Sequence, residues 1–306
     1  MRKAFVDSLC ALAAADPRVV LLTGDLGYLA LEPFRERFPG RFFNAGVAEQ
    51  NMIGVATGLA EAGLRPYAYS IAPFASLRPF EFIRNGPVAH RLPVRIVGMG
   101  MGFEYGHSGP THYALEDVAV LRTLPGLTVV IPADSAQAST AIRDTQDLPG
   151  PIYYSLGKDD RISVPGLNGR FELGEVQQVR QGRDLAIVTM GSISQEAAAA
   201  AEELSAHGIA AAVFVVSSFS PDPDAGLAAA LAGFRCAISV EVQTPSGGLG
   251  AFVATTIATH GLPCRLRMMA VGTPPDGTSG KQTERWRKYG LDRLAIAQTA
   301  LGALDT

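Results

Sequence analysis

The chain of 306 residues is 47% hydrophobic and only 18% charged, with 33 Gly and 20 Pro, and sets 26 Lys plus Arg against 29 Asp plus Glu. That length predicts two domains, each large enough to bury its own core. The scarcity of charge excludes disorder and anticipates an extensive interface with another subunit. A formal charge of −3 with scattered arginines argues against a nucleic-acid partner, because binding a phosphate backbone needs a basic stripe. Cys10, Cys236 and Cys264 are odd in number and far apart. They form neither a disulfide framework nor a metal knuckle, and fit a reduced, cytoplasmic protein in which each is a small core residue.

At the N-terminus, Arg2 and Lys3 precede an apolar run, as in a leader peptide, but Asp7 and Ser8 interrupt it. Phe5, Val6, Leu9, Cys10, Leu12 and Ala13 follow a helical period instead. The Asp16-Pro17 stop leads into a strand at Val19–Thr23. Apolar runs at Pro66–Ile71, Val94–Met99, Leu127–Ile131 and Ile152–Ser155 then alternate with helix patterns near 47–63, 79–90, 114–123 and 135–145. Such alternation predicts a parallel sheet covered by helices, with functional groups in the loops after the strands' C-terminal ends. The first domain is expected over residues 1–160. Polar alternation over Phe171–Val179 predicts a hairpin inside a linker spanning 161–183. A second domain over 184–306 repeats the alternation, with strands at Leu185–Thr189, Ala211–Val216, Cys236–Val242 and Arg265–Ala270 and helices over 194–207, 224–232, 249–259 and from Leu291. The expected fold class is α/β, with two three-layer domains each built on a parallel sheet. No apolar stretch approaches the ~20 residues of a membrane span, so no membrane association is expected.

The most informative segment runs from Asn44 to Ala60. Glu49 stands near the start of a small-residue helix whose Gly54 and Gly58 are four apart and line one face. The pattern Asn-x-Gly-apolar-x-Glu-x4-Gly-apolar-x2-Gly-apolar resembles the pyrimidine-domain signature of thiamine diphosphate enzymes. Gly109-Pro110-Thr111-His112, Leu115-Glu116-Asp117 and Leu121-Arg122-Thr123-Leu124-Pro125-Gly126 are similar to the transketolase pattern, as are Ser246-Gly247-Gly248-Leu249-Gly250 and Lys288-Tyr289-Gly290-Leu291-Asp292. The chain thus resembles the C-terminal half of a transketolase along nearly its whole length.

This resemblance implies a transferase of the EC 2.2.1 type that moves a two-carbon ketol unit from a ketose to an aldehyde. It also implies a split enzyme. Gly24-Asp25-Leu26 lacks the second glycine of the Gly-Asp-Gly motif that, with an asparagine, holds the coenzyme's diphosphate through a divalent metal. An N-terminal-half partner subunit would carry that domain with Mg2+ (or Ca2+), and the two chains would assemble as α2β2. Deoxyxylulose phosphate synthases and 2-oxo acid dehydrogenase β subunits share the glutamate, so a decarboxylating enzyme remains an alternative, as does a catalytically silent interaction subunit.

Residue by residue, the resemblance makes Glu49 the acid at the coenzyme's aminopyrimidine, where it favours the imino tautomer. Burial beside Val47, Met52 and Val55 is expected to favour its protonated form. Phe74, Leu77 and Phe80 match an aromatic triplet of the pyrimidine pocket whose middle member has become aliphatic. His112 matches a histidine that hydrogen-bonds the donor, and His107 is a weaker candidate from the same loop. Asp25 either lies near the coenzyme or caps the turn after its strand. Ser108 replaces an aspartate that reads a substrate hydroxyl. Arg2 matches one phosphate arginine and Lys158 replaces another, while Gly100 and Leu29 replace a histidine and a serine. These losses weaken phosphate recognition and make an unphosphorylated or differently tethered acceptor plausible. The glycines of Val97-Gly98-Met99-Gly100-Met101-Gly102 do not have dinucleotide-binding spacing and are expected in a flexible substrate-channel loop. Gly247-Gly248-Leu249-Gly250 opens a helix, either binding an anion there or simply shaping a turn.

Overall fold

Val19-Val20-Leu21-Leu22-Thr23 is buried at every position, as a central strand covered on both faces must be. The same holds for the strands Arg95–Met99, Ile152–Leu156, Leu185–Thr189 and Cys236–Val240. These runs organise the protein, whose computed structural model describes residues 1–304. Residues 305–306, which close the second expected domain, lie outside the described residues.

The first part of the chain forms α1 (Arg2–Ala15), β1 (Val19–Thr23), α2 (Glu32–Arg37), β2 (Phe42–Asn44), α3 (Glu49–Glu61), β3 (Arg65–Ile71), α4 (Ala72–Ser76) and α5 (Phe80–Ile83). It continues through β4 (Arg95–Met99), α6 (Asp117–Leu121), β5 (Thr128–Val130), α7 (Ser135–Thr145) and β6 (Ile152–Leu156). The remainder forms β7 (Val176–Arg180), β8 (Leu185–Thr189), α8 (Ser194–Ala206), β9 (Ala211–Val216), β10 (Ser218–Phe219) and α9 (Asp224–Leu231). It ends with β11 (Cys236–Val240), α10 (Leu249–Thr259), β12 (Arg265–Met269), α11 (Gln282–Lys288) and α12 (Arg293–Leu304). Among the described residues, one seven-stranded sheet has the order β10-β5-β6-β4-β3-β1-β2, and a five-stranded sheet has the order β12-β11-β8-β9-β7.

Two edges depart from the expected parallel pattern. β7 pairs antiparallel with β9, so the expected hairpin is a single strand whose partner lies beyond β8. β10, from the second half of the chain, pairs antiparallel with β5 and finishes the first sheet. α2, β2 and α11 escaped the sequence reading because they are too short to show a period. The expected helix over 79–90 is α5 followed by a π-type turn, Arg84–Val88, containing Pro87.

One hydrophobic cluster surrounds the first sheet and runs into one face of the second, including Val188, Phe214 and Leu249. A separate cluster packs α8, α11 and α12 on the other face, with Ile187, Val213, Ile238 and Trp286. All three cysteines are buried. Among the described residues, no helix is long and apolar enough to cross a membrane.

Candidate active site

The carboxyl ends of β1 and β3 meet the start of α3, and Glu49 is the first residue of that helix. Its approach is shaped by Asn44, whose Oδ1 accepts from Gly46 N at 2.9 Å, where Gly46 takes the left-handed φ of 72°. The Glu49 side chain is only 1% exposed. Ser70 Oγ donates to its Oε1 at 3.0 Å, and Arg78 Nη1 donates to its Oε2 at 2.5 Å. Gly24 gives it room, since a Cβ there would lie 3.2 Å from Oε1. The expected apolar surround is corrected: Met52 is buried, but Val47 is 74% and Val55 44% exposed. Val47 precedes α3 and Val55 lies on its open side, and the group facing the carboxylate is a cation.

Arg78 also stands 4.5 Å over the Phe74 ring, and Phe74 meets the His112 imidazole edge-on at 5.1 Å. Glu49, Arg78, Phe74 and His112 therefore form one continuous surface. Leu77 is exposed beside it, whereas Phe80 is partly buried and packs against the main core. Thr111 Oγ1 lies 2.9 Å from His112 Nδ1. Burial, and then the nearby His107, hold the His112 imidazole below its ordinary value. It is thus neutral at pH 7 and able to both donate and accept. Asp25 takes a positive φ of 54° and binds Asn44 Nδ2 at 2.8 Å and Tyr28 OH at 2.9 Å. These bonds, Asn44's first, lower its carboxyl below the usual range.

A neighbouring cleft of about 480 Å³ brings together Arg2, His107 and Lys158. His107 and Ser108 sit on an exposed turn, Gly106–Ser108. Lys158 Nζ lies 4.5 Å over the Tyr105 ring, and Tyr105 is 6.3 Å from His112. Burial first, and then the charge of Arg2, lower the Lys158 ammonium. Glu104 is buried beneath, with Oε2 accepting from Lys158 N and Oε1 lacking a partner. At Gly100, a Cβ would strike the Tyr105 ring at 2.3 Å. The ring fills the space where a side chain at 100 would begin, so the glycine goes with the tyrosine.

Two glycine runs behave differently from expectation. Gly100 N and Met101 N donate to Leu156 O, and Gly102 pairs with Ala114. The 98–102 segment is buried and bonded rather than a flexible channel loop. At the start of α10, the buried Glu241 accepts from Leu249 N and Gly250 N, both at 2.7 Å. The anion at that helix start is the chain's own carboxylate.

Sequence reasoning missed Ser70, Arg78, Glu104 and Tyr105 as neighbours of these groups. None had a local signal: Arg78 lies in the turn between α4 and α5, where no helical period ties it to Phe74.

Residues 1–160 match the family of transketolase pyrimidine binding domains, and residues 174–296 match the transketolase C-terminal domain. The chain belongs to the transketolase family of thiamine diphosphate enzymes. It is 34% identical over 306 residues to an apulose-4-phosphate transketolase subunit of Phocaeicola vulgatus, covering 98% of this chain and 96% of that one. It is also 34% identical over 303 residues to a 6-deoxy-6-sulfo-D-fructose transketolase subunit of Clostridium sp. strain MSTE9, covering 98% and 93%. Among solved structures, a split-gene transketolase in an inactive β4 tetramer superposes with a TM-score of 0.87 at 32% identity, covering 99% of this chain and 97% of that one.

Proposed function

We propose that this chain is the pyrimidine-domain subunit of a split transketolase, moving a two-carbon ketol unit from a ketose to an aldehyde only when a diphosphate-binding subunit completes the site. The observation that carries this reading is Glu49, a buried carboxylate held by Ser70 and Arg78 at the start of a helix whose outer side is uncovered. Val47, Val55, Leu77 and Phe82 are exposed, and Gly54 and Gly58 on α3 have open space beside them. Half of a site faces outward there. The division proposed is a pyrimidine domain over 1–160, a linker over 161–183 and a C-terminal domain from 184.

The residues present fit the aminopyrimidine end of thiamine diphosphate, because Gly24 leaves space beside the Glu49 carboxyl and the Phe74 ring lies next to the Arg78 that now covers it. Arg78 would give up its place at Oε2 to a bound ring. When bound, thiamine diphosphate supplies the nucleophilic carbon that carries the two-carbon unit. Glu49 would hold a hydrogen bond at the pyrimidine N1′, while Phe74 and Leu77 flank the ring and Phe80 backs the pocket from the core. His112, neutral at pH 7, would hydrogen-bond the sugar and exchange a proton with its hydroxyl. Ser108 and His107 would line the acceptor's entry, and Arg2 and Lys158 its far end. Asp25, fixed by Asn44 and Tyr28, would border the coenzyme. Mg2+ (or Ca2+) is assigned to the partner, because Gly24-Asp25-Leu26 lacks the second glycine of the Gly-Asp-Gly motif. The reading includes an α2β2 assembly in the cytoplasm, and the solved β4 relative, described as inactive, supports dependence on the missing half.

The test is co-expression with an adjacent reading frame carrying Gly-Asp-Gly and a downstream Asn, then assay of ketol transfer with thiamine diphosphate and magnesium. Glu49→Gln is expected to lower kcat by at least about a hundredfold. Full activity of Glu49→Ala would overturn the assignment.

A further inference from the structure

The cleft that holds Arg2, His107 and Lys158 is not closed by the first sheet's own loops. Lys281 and Gln282, at the start of α11, also line it. They arrive on a segment that docks directly against the turn of His107. Gly280 N donates to Gly106 O at 3.0 Å, and Tyr113 OH donates to Thr278 O at 2.9 Å. The contact is close enough that a Cβ on Gly106 would lie 2.4 Å from Gly280 O. The buried Arg285 fixes the same segment through Thr278 Oγ1 at 2.6 Å. Lys281 is therefore held at the cleft by backbone contacts.

The charges of this cleft do not balance. Asp159 is engaged by Arg161 at 2.7 Å, and Asp160 by the Met1 amino group at 2.8 Å. Glu284, one turn into α11, turns its carboxylate onto the backbone N–H of Lys281 at 2.8 Å. Glu104, buried in the same cleft, accepts from the Lys158 backbone N–H. Three cationic side chains, Arg2, Lys158 and Lys281, thus share the cleft with one buried carboxyl and form no salt bridge among the described residues. Like charges gathered in this way oppose one another until an anion enters between them. At Lys158, burial first and then the charge of Arg2 lower the ammonium, while Glu104 and Asp159 act in the opposite sense.

We propose that Lys281 is a specificity-determining residue, delivered by the second α/β unit, that completes a three-cation clamp on a terminal tetrahedral oxyanion of the sugar substrate. The inference rests on the reading of Arg2 and Lys158 as substrate-facing in a ketol transfer. Sequence comparison counts only losses at the phosphate end, with Lys158, Gly100 and Leu29 in place of stronger donors. The fold restores a charge from a segment far along the chain. Phosphate and sulfonate share the required chemistry, so the clamp accepts either on grounds of charge and shape.

The experiment has two arms. In the first, inorganic phosphate and methanesulfonate are titrated into the full chain at constant ionic strength and followed by thermal shift. Saturable stabilisation by at least one of them is expected, and Lys281→Ala should weaken it about tenfold while Lys281→Arg restores it. Which ion saturates identifies the oxyanion. In the second arm, the reconstituted two-chain enzyme is assayed with an aldose bearing the terminal oxyanion and with its neutral counterpart. Lys281→Ala should raise KM about tenfold for the anionic aldose, leaving kcat and the neutral aldose unchanged. No saturable ion binding, or equal effects on both aldoses, overturns the proposal. If ion binding depends on Lys281 but the reconstituted pair transfers no ketol unit, the clamp stands and the ketol-transfer reading fails.

Discussion

Arg78 occupies the Glu49 Oε2 and a face of Phe74, the two contacts proposed above for an aminopyrimidine. It is a partly exposed side chain acting on a buried acid, with 35% of its surface open against 1% for Glu49. Removing it leaves that carboxylate without its cation, and a broken buried pair costs several kcal/mol, reduced here by solvent at the arginine. Arg78→Leu is therefore expected to lower unfolding stability by about 2 kcal/mol in urea denaturation. The double variant Arg78→Leu with Glu49→Gln should recover most of the loss, and an equally unstable double variant would show that the pair is not the cause. Glu49 itself is legible in the sequence because its flanking glycines recur at fixed spacing. Arg78 is not, since nothing local says that its guanidinium turns back to a residue on another helix. Lys281 is hidden for the same reason on a longer scale, because it reaches the cleft through backbone docking rather than through a motif.

At the level of elements, the buried strands were readable because short, mostly apolar runs carry their own signal, and α7 matched its expected span of 135–145 through its period. The hairpin expected in the linker failed because polar alternation fixes a strand but not its partner, and β7 pairs across the sheet with β9. The start of α10 shows how an element sets the protein's response to pH. Burial pushes the Glu241 carboxyl up to about 7, against two backbone N–H donors that lower it, and burial likewise pushes Glu104 up to about 7. The folded chain therefore binds more protons than the unfolded chain between the ordinary value of 4.5 and about 7. Stability must fall as pH rises through that window, by about 3 kcal/mol for each group. Denaturation midpoints measured from pH 5 to pH 8 should decline accordingly. Glu241→Gln should flatten the decline by one group's share, and an unchanged slope would refute the role given to Glu241.

For the molecule as a whole, the low charge content leaves large apolar side chains in the open. Val47, Val55, Leu77 and Phe82 are all exposed, and Gly54 and Gly58 leave α3 open to close approach. The isolated chain is expected to sediment as an oligomer, and Val55→Lys or Phe82→Asp should shift it toward monomer. A wild-type chain that is monomeric at micromolar concentration would contradict this. The two sheets raise a different issue, because the seven-stranded one is completed by β10, which follows most of the second unit's first strands in the chain. On the ribosome, the first unit emerges with the β5 edge unpaired, and it stays so until Phe219 has been made. An unpaired edge invites pairing with another chain. The interval between residues 156 and 218 is therefore the period of greatest aggregation hazard, and truncation within the linker would make that hazard permanent.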